Sequence, residues 1–447
     1  MLYRVILSNY KSFADEVQFD MFPNPKRENF KEHVYQGNVL PVLKQCAIYG
    51  ANGAGKSNFV SALKFLREWV TKTNLYYDIH SMKNWYLKNR FRLPVQDQTK
   101  PIAICVEFSV GQQVYIYNVE IDAEGIKTET LMKSGIGRGD NQLVMERSRK
   151  HFSFKLSQLN EQVREIVSRQ IEIYPTASLL GLNGITQYTD DAAMQAAYKW
   201  FKDGLSIITT NHQIPWLISV LKQQSSKMDF VNKIFKEIGL GIKNLSIHDE
   251  SFEDWVEHAD ANDKEVVNAI LGNVPRSDGE YRQGMSKMGT EVPELDIYEE
   301  NGKRMVRELI FSQLGQGGYV GDMDVASQSS GTLRLLTLTP AIYEAMFRNC
   351  TVVFDEIDNG VHPMLIKNLI RYFGESQTQG QLIYTTHETA LLNQQELLRT
   401  DEVWLTEKVG GVTKMYSLND FKIHKTLSIE NGYLDGRFGA IPFIGTL

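Results

Sequence analysis

The stretch "YGANGAGKSNFVSALKFL", from Tyr49 to Leu66, decides the fold class of this 447-residue chain. A short apolar run, "VLKQCAI", precedes it, and its second half has the apolar spacing of an amphipathic helix. Gly50 to Ser57 fit the pattern G-x-x-x-x-G-K-[ST] in full. In this pattern the glycines let successive backbone N–H groups point at one anion, and the N-terminus of the next helix favours negative charge. Strand, glycine loop and helix in this order predict a phosphate-binding loop.

The residues of this loop predict contacts with a nucleoside triphosphate. Lys56 would reach the β- and γ-phosphates, and the Ser57 hydroxyl would bind Mg²⁺. We therefore expect a nucleoside triphosphate and Mg²⁺ as cofactors, and the family resemblance given below implies that the nucleotide is ATP. The expected cofactor-binding residues of the loop are Asn52, Gly53, Ala54, Gly55, Lys56, Ser57 and Asn58.

Two further apolar strands end in side chains that could complete such a site. The run "TVVF" is followed by Asp355, placed to hold Mg²⁺ directly or through water, and by Glu356, which would accept a proton from the attacking water or orient it. Alternatively, this pair begins a solvated loop. His387 follows the next run, "LIYTT", at the edge where ligands collect in an open α/β sheet, and there it could contact the γ-phosphate. The other interpretation is a structural histidine.

The segment "SQSSGTLRLL" places serines and a glycine directly before an amphipathic helix. Ser329, Ser330 and the N–H of Gly331 would form a second anion-binding helix N-terminus. Taken alone, the same residues could be an ordinary helix cap. Their position just upstream of the Asp355 strand favours the functional interpretation.

Composition limits the classes of function. With 42% hydrophobic and 23% charged residues, the chain has the profile of a soluble globular protein of two or three domains. A net charge of −6 argues against nucleic-acid binding by overall charge, although a local basic stripe stays possible. The cysteines Cys46, Cys105 and Cys350 lie far apart, as expected for buried thiols in a reducing compartment. A start without a charged leader, and no apolar run of about 18 residues, predict a cytoplasmic protein without a membrane partner.

The pattern along the chain predicts an α/β fold in three segments. Residues 1–155 hold the phosphate loop and a run of alternating strands, which predict a flanking antiparallel β-sheet. Residues 156–290 have helical spacing followed by a polar, turn-rich linker that we expect to be mobile, and we interpret them as a helical insertion. Residues 291–447 begin with a hairpin around Asn301-Gly302 and continue with helices alternating with apolar strands, which predict a mixed or parallel core sheet.

The set of motifs, in this order, resembles the ABC-type ATPases, in the branch that holds SMC chromosome proteins, double-strand-break repair ATPases and OLD-family proteins. "LSNYKSF" resembles the first strand of that branch, in which a basic residue such as Lys11 can approach the nucleotide. "DEIDNGVHP" resembles the form found in OLD-like ATPases. "GRFGAIPFI" is similar to stand-alone bacterial ATPases of abortive infection and anti-phage defence, including the ATPase partners in AbiL/Rlo-type pairs, with the PARIS ATPase as a relative. Together the two ends cover about half of the chain.

The resemblance implies an ABC-ATPase-like head that works as a homodimer or higher homo-oligomer. Ser329 and Gly331 would touch the γ-phosphate held by Lys56 of the partner subunit, and Asp358 would lie in the loop that crosses the interface. "SSGT" departs from the family's LSGGQ because Ser330 stands in place of a glycine. The resemblance further implies a switch that controls a separately encoded effector, a nuclease or toxin. Candidates for the family's glutamine loop include Gln158, Gln162 and Gln170.

Other functions stay open at this level. One alternative is a DNA-associated SMC- or OLD-like ATPase in DNA repair or processing; another is an ATPase-nuclease without a recognised nuclease motif. About 40 residues follow "DEVWLTEK", fewer than a typical domain, which argues against a fused nuclease. Without a sustained heptad pattern, a long DNA-tethering coiled coil is not expected. "MERSRKHFSFK" combines charge and aromatic residues, so nucleic-acid contact stays possible beside the interpretation as a solvated strand face.

Overall fold

The computed structural model describes residues 1–36, 39–72, 78–93, 99–149, 151–154, 161–186, 191–210, 217–259, 282–285, 295–392, 397–423 and 428–441. The chain divides into two compact units. The first unit comprises Met1–Thr209, Glu344–Asp358 and Lys367–Leu447; the second comprises Thr210–Tyr343 and Asn359–Ile366. The segment boundaries after residues 155 and 290 stay a prediction.

The strands are β1 (Leu2–Ser8), β2 (Val17–Asp20), β3 (Val34–Tyr35), β4 (Val42–Leu43), β5 (Gln45–Gly50), β6 (Ile102–Val110), β7 (Gln113–Asp122), β8 (Gly125–Lys133), β9 (Gln142–Ser148), β10 (His151–Phe154), β11 (Leu205–Ile208), β12 (Ile242–Ser251), β13 (Arg282–Met285), β14 (Leu295–Glu300), β15 (Lys303–Leu314), β16 (Val320–Met323), β17 (Thr351–Phe354), β18 (Gln381–Thr385), β19 (Val403–Val409) and β20 (Val412–Ser417). The α-helices are α1 (Lys56–Thr71), α2 (Ile79–Asn89), α3 (Glu161–Ile173), α4 (Leu179–Thr186), α5 (Ala192–Lys199), α6 (Leu217–Gln223), α7 (Ser225–Glu237), α8 (Phe252–His258), α9 (Ser330–Phe347), α10 (Pro363–Glu375) and α11 (Ile429–Leu434).

The core sheet of the first unit has the strand order β11-β17-β18-β5-β19-β20. Strands β11 to β19 in this order run parallel, and β20 joins the edge antiparallel. Every residue of β5, β17 and β18 is buried, as expected for parallel strands covered on both faces. The predicted α/β fold with a mixed core sheet is therefore confirmed. The carboxyl ends of β5, β17 and β18 meet at one edge, which is where the phosphate loop begins.

A seven-stranded antiparallel sheet, β10-β9-β8-β7-β6-β1-β2, forms the other sheet of this unit. Its strands alternate between buried and half-exposed residues, for example along β6. The flanking antiparallel sheet is confirmed, and β1 and β2 pair antiparallel within it. Strands β9, "QLVMERS", and β10, "HFSF", contain most of the segment "MERSRKHFSFK", for which a strand face was one of the two interpretations.

Gln381 joins the two sheets of the first unit. Its fully buried side chain accepts hydrogen bonds from the Leu2 N–H at 2.6 Å and from the Thr351 hydroxyl at 2.9 Å. Its amide group donates to the carbonyl oxygens of Leu2 at 2.9 Å and Leu43 at 3.2 Å. One side chain thereby satisfies both backbone groups of Leu2 and ties β1 to the core sheet.

The second unit contains the sheet β12-β15-β14-β13, with β16 paired to β15. The predicted hairpin at Asn301-Gly302 is confirmed: Glu300 pairs with Lys303, and the two turn residues have φ of 52° and 74°. The left-handed turn matches the twist of the strands that it connects.

The segment predicted to be helical, 156–290, contains helices α3 to α8 but also three strands, β11, β12 and β13, in its described part. β11 is a four-residue apolar strand that pairs with β17 in the core sheet, and β12 pairs along β15. The helical spacing therefore does not extend over the whole segment, and a four-residue run such as β11 does not reveal its period or its partner from the sequence alone. Most of the polar linker predicted to be mobile, 260–281 and 286–294, lies outside the described residues. Within the described helices, none combines the length and apolarity needed to cross a membrane.

Candidate phosphate site

The loop between β5 and α1 passes close to other parts of the first unit. A Cβ on Gly50 would overlap the carbonyl oxygen of Thr406 on β19, and Gly50 has a φ of 154°. Gly55, with a φ of 116°, faces Thr413, whose Cγ2 would lie 2.7 Å from an added Cβ. Both glycines are therefore needed for close packing as well as for backbone conformation.

Lys56 is held by the loop that it follows. Its Nζ donates to the carbonyl oxygens of Gly50 at 2.7 Å and Ala51 at 3.3 Å, and lies 3.4 Å from Nδ1 of His387. Burial lowers the pKa of Lys56 to about 8, although the nearby carboxylates of Glu356, Asp355 and Asp358 oppose that shift. The two carbonyl groups thus fix one ammonium group at the mouth of the loop, beside His387.

The two residues predicted to bind Mg²⁺ lie together. The Ser57 hydroxyl donates to Oδ1 of Asp355 at 3.1 Å, and the Thr385 hydroxyl donates to the same oxygen at 2.9 Å. A hydroxyl and a carboxylate are oxygen ligands of the kind that Mg²⁺ prefers, and Mg²⁺ is commonly held by one or two carboxylates together with phosphate oxygens. The described residues contain no group of three or more His, Cys, Asp and Glu that could hold a metal alone. The donors present fit a Mg²⁺ ion that shares its coordination with a nucleotide.

Glu356 adopts a left-handed backbone conformation, with φ of 52°. Its N–H donates to the Thr385 hydroxyl at 2.7 Å, and its side chain is 36% exposed. A non-glycine residue in this region costs about 1–3 kcal/mol and persists only when its surroundings hold it. Thr385 is one such contact, so this buried threonine supports Asp355 and Glu356 at once.

His387 lies between the basic and acidic halves of the site. Its Nε2 is 3.9 Å from Oε1 of Glu356, and its backbone N–H donates to Oδ2 of Asp358 at 3.4 Å. Burial and the positive charge of Lys56 lower the pKa of His387. The imidazole is therefore neutral at neutral pH and can accept or donate a hydrogen bond. Strand β18, which leads to His387, pairs parallel with β17, which leads to Asp355.

Ser12 and Thr413 brace the phosphate loop from outside. The Thr413 hydroxyl lies 2.7 Å from Oγ of Ser12 and 2.7 Å from the carbonyl oxygen of Ala54. Ser12 also accepts a hydrogen bond from Nδ2 of Asn58 at 2.7 Å. Asn58, predicted to bind the cofactor, is thus engaged with the N-terminal turn in this structure.

Lys11 lies on the same turn as Ser12. Its Nζ donates to the Ser61 hydroxyl on α1 at 2.7 Å, and burial lowers its pKa. The structure therefore places this predicted basic residue against the helix that follows the phosphate loop. Of the glutamine-loop candidates, Gln162 and Gln170 lie on α3, and Gln158 lies outside the described residues.

Thr385, Ser12 and Thr413 were missed by the sequence analysis. The first two stand inside quoted motifs, "LIYTTH" and "LSNYKSF", where hydroxyl side chains next to charged residues were the available signal. Thr413 stands on an edge strand with no local signal.

The serine-glycine motif belongs to the second unit. Oγ of Ser329 accepts the N–H of Thr332 at 3.2 Å, which caps α9. Ser329 and Ser330 are exposed. A Cβ on Gly331 would lie 2.8 Å from the carbonyl oxygen of Gly360, so this position requires a glycine to pack against the loop that follows Asp358.

A glycine loop with a buried lysine, and a strand-end aspartate and glutamate at the same sheet edge, define a P-loop protein of the ATPase class. The chain belongs to the family described as "AAA domain, putative AbiEii toxin, Type IV TA system", whose model matches residues 46–204 and 216–393. These two ranges include the phosphate loop and the serine-glycine motif, as well as Asp355, Glu356 and His387.

Among solved structures, the chain is similar to the SMC head domain from Thermotoga maritima, with 12% identity and a TM-score of 0.38 over 94% of this chain and 99% of that one. It is also similar to an SMC head bound to the "C-winged helix domain" of ScpA, with 14% identity and a TM-score of 0.41 over 96% of this chain and 99% of that one. No curated protein sequence matches the chain.

Proposed function

We propose that the protein binds ATP with Mg²⁺ and hydrolyses it to ADP and phosphate. The observation that carries this proposal is the convergence at one sheet edge of Lys56, the Ser57–Asp355 pair, Glu356 and His387. A cation, a metal-binding oxygen pair and a partly exposed carboxylate are the parts that phosphoryl transfer to water requires.

In this proposal each residue has one task. The Lys56 ammonium binds the β- and γ-phosphates, and Ser57 with Asp355 would hold Mg²⁺, which neutralises phosphate charge when bound. Glu356 accepts the proton of the water whose oxygen bonds to the γ-phosphorus as the bond to the ADP oxygen breaks. Neutral His387 donates a hydrogen bond to the γ-phosphate.

We further propose that the complete site needs two copies of the chain. Ser329, Ser330 and Gly331 present an exposed helix N-terminus, which suits the γ-phosphate bound by a partner subunit. Closure of this homodimer, or of a higher homo-oligomer, would then control a separately encoded effector, a nuclease or toxin, in anti-phage defence. The family description names a toxin–antitoxin system, which supports a role in such a context.

Replacing Lys56 with alanine tests the nucleotide site. We expect ATP binding and phosphate release to be lost, because the substitution removes the ammonium group that the loop carbonyls hold in place. Lys64→Ala, on the same helix, is the matched control and should behave like the unaltered protein. Binding and turnover in Lys56→Ala equal to those of the unaltered chain would exclude the proposed site.

Replacing Ser329 with arginine tests the composite site. We expect ATP binding to persist while hydrolysis stops, because the large side chain blocks the partner's γ-phosphate. Ala326→Arg, in the same loop, is the control for an added charge. A mixed dimer of Ser329→Arg and Lys56→Ala has one complete site, so about half of the normal rate is its upper limit if the sites are independent. A specific activity that does not change with protein concentration, from a monomer, would rule out the two-copy site.

A further inference from the structure

The motif "GRFGA", Gly436 to Ala440, has no task in the proposed reaction, yet it contacts the phosphate loop. It follows helix α11, and both belong to the range Ser428–Ile441, here named the C-terminal segment. The carbonyl oxygen of Ala440 accepts the N–H of Ala51 at 3.0 Å and the hydroxyl of Tyr433 at 3.0 Å. We propose that the C-terminal segment is a positioning element for Lys56; this inference rests on the proposed ATP site.

The contact acts on the peptide group that holds the lysine. The carbonyl of Gly50 and the N–H of Ala51 belong to one planar peptide unit. Lys56 donates to that carbonyl at 2.7 Å, while the N–H donates to Ala440 at 3.0 Å. Because the unit is rigid, a rotation that breaks one hydrogen bond disturbs the other. Ala440 therefore helps to set the orientation of the ammonium group that binds phosphate.

The C-terminal segment is itself firmly held. The ring of Tyr433 lies edge-on to Tyr49 at 6.0 Å between centroids, and the hydroxyl of Tyr416 donates to the carbonyl oxygen of Phe438 at 2.8 Å. Ala440 is buried and has a φ of 60°, a conformation that alanine rarely adopts. Strain of this kind is retained where the surroundings require one backbone path, and it clusters at functional sites.

A second contact reaches the other side of the phosphate site. Oε1 of Glu430, on α11, accepts the hydroxyl hydrogen of Thr389 at 3.3 Å. Thr389 follows His387 by two residues, and Tyr49 donates to the carbonyl oxygen of Glu388 at 3.3 Å. The C-terminal segment thus touches both the loop that orients Lys56 and the turn that carries His387.

The test compares two substitutions of Ala440. Valine is β-branched and disfavours positive φ, so Ala440→Val should withdraw the carbonyl from Ala51, whereas Ala440→Gly adopts this φ freely and should retain the contact. Asn349→Val imposes the same backbone conflict at an exposed position of the first unit, where φ is 54°, and controls for lost stability.

Two measurements decide the outcome. In the nucleotide-free protein, amide hydrogen exchange of residues 50–56 should accelerate about tenfold in Ala440→Val and stay unchanged in the other two variants. The Kd for Mg–ATP should rise about tenfold in Ala440→Val alone, a loss of about 1.4 kcal/mol of binding free energy, because the Gly50 carbonyl no longer holds the ammonium group in place. Unchanged exchange in Ala440→Val, or an equal loss of affinity in Asn349→Val, would overturn the inference. An unaltered protein that binds no ATP would refute the proposed function, and the exchange measurement would still decide the role of the segment.

Discussion

Replacing Thr385 with valine removes one hydroxyl group from the centre of the site and keeps the branched shape of the side chain. That hydroxyl donates to Oδ1 of Asp355 at 2.9 Å and accepts the N–H of Glu356 at 2.7 Å. Thr385 is fully buried, so water cannot replace either contact without rearrangement. The substitution therefore removes the hydrogen bonds that hold Asp355 and Glu356 in place but leaves their carboxylates unchanged.

The expected magnitude follows from the two lost hydrogen bonds. A bond to a charged group contributes about 1.5–3 kcal/mol, and a buried N–H left without a partner costs about 1–3 kcal/mol. Relaxation recovers part of this, and we expect the free energy of unfolding to fall by about 3 kcal/mol. Loss of a residue that orients a metal ligand lowers metal affinity or activity by about 10- to 100-fold. Because Asp355 is the expected Mg²⁺ ligand, the Mg²⁺ concentration for half-maximal ATPase activity should rise within this range.

The assay is a Mg²⁺ titration of phosphate release at saturating ATP, with urea unfolding of the same preparations. Thr385→Ser retains the hydroxyl and should recover most of the Mg²⁺ dependence, even if the lost methyl group lowers stability. A Thr385→Val protein with the Mg²⁺ dependence of the unaltered chain would refute the role of Thr385. Equal defects in the valine and serine variants would assign the effect to packing instead.

Three further outcomes are expected. Glu356→Gln should bind ATP while turnover in a phosphate-release assay falls about 10²- to 10⁴-fold, and a loss under about threefold would contradict its role as base. The pKa of Lys56 in the free chain is about 8, so the affinity for ATP should stay the same below that pH and fall above it, because the ammonium group loses its proton. Equilibrium binding titrations across this pH range measure the effect. Lys56→Arg is always charged and should bind ATP without this pH dependence. Gln381→Leu leaves both backbone groups of Leu2 without the side chain that pairs them, so the free energy of unfolding should fall by more than about 1 kcal/mol. A smaller loss in a urea-unfolding experiment would contradict that account.

Local patterns predicted the elements whose conformation depends on near neighbours. The glycine spacing of Gly50–Ser57 requires the turn that it forms, and Asn301-Gly302 forms the left-handed turn expected of that pair. The runs "TVVF" and "LIYTT" could be recognised as strands because they are short and mostly apolar, and the strands that they form, β17 and β18, are buried. The order of these motifs was sufficient to expect Asp355 and Ser57 at one site, although 298 residues separate them.

The sequence by itself determined the phosphate loop, the strand ends that carry its acidic residues and the α/β class, since each depends on side chains within a few positions. Only the tertiary structure decided that β11 completes the core sheet, that Thr385 supports Asp355 and Glu356 together, and that Ala440 meets the loop at Ala51. Ser12 and Thr413, 401 residues apart, show why. A hydroxyl has one donor and can pair with many acceptors, so no local pattern names its partner. The partner of a buried hydroxyl is decided only when the whole core packs and brings one acceptor within hydrogen-bonding distance.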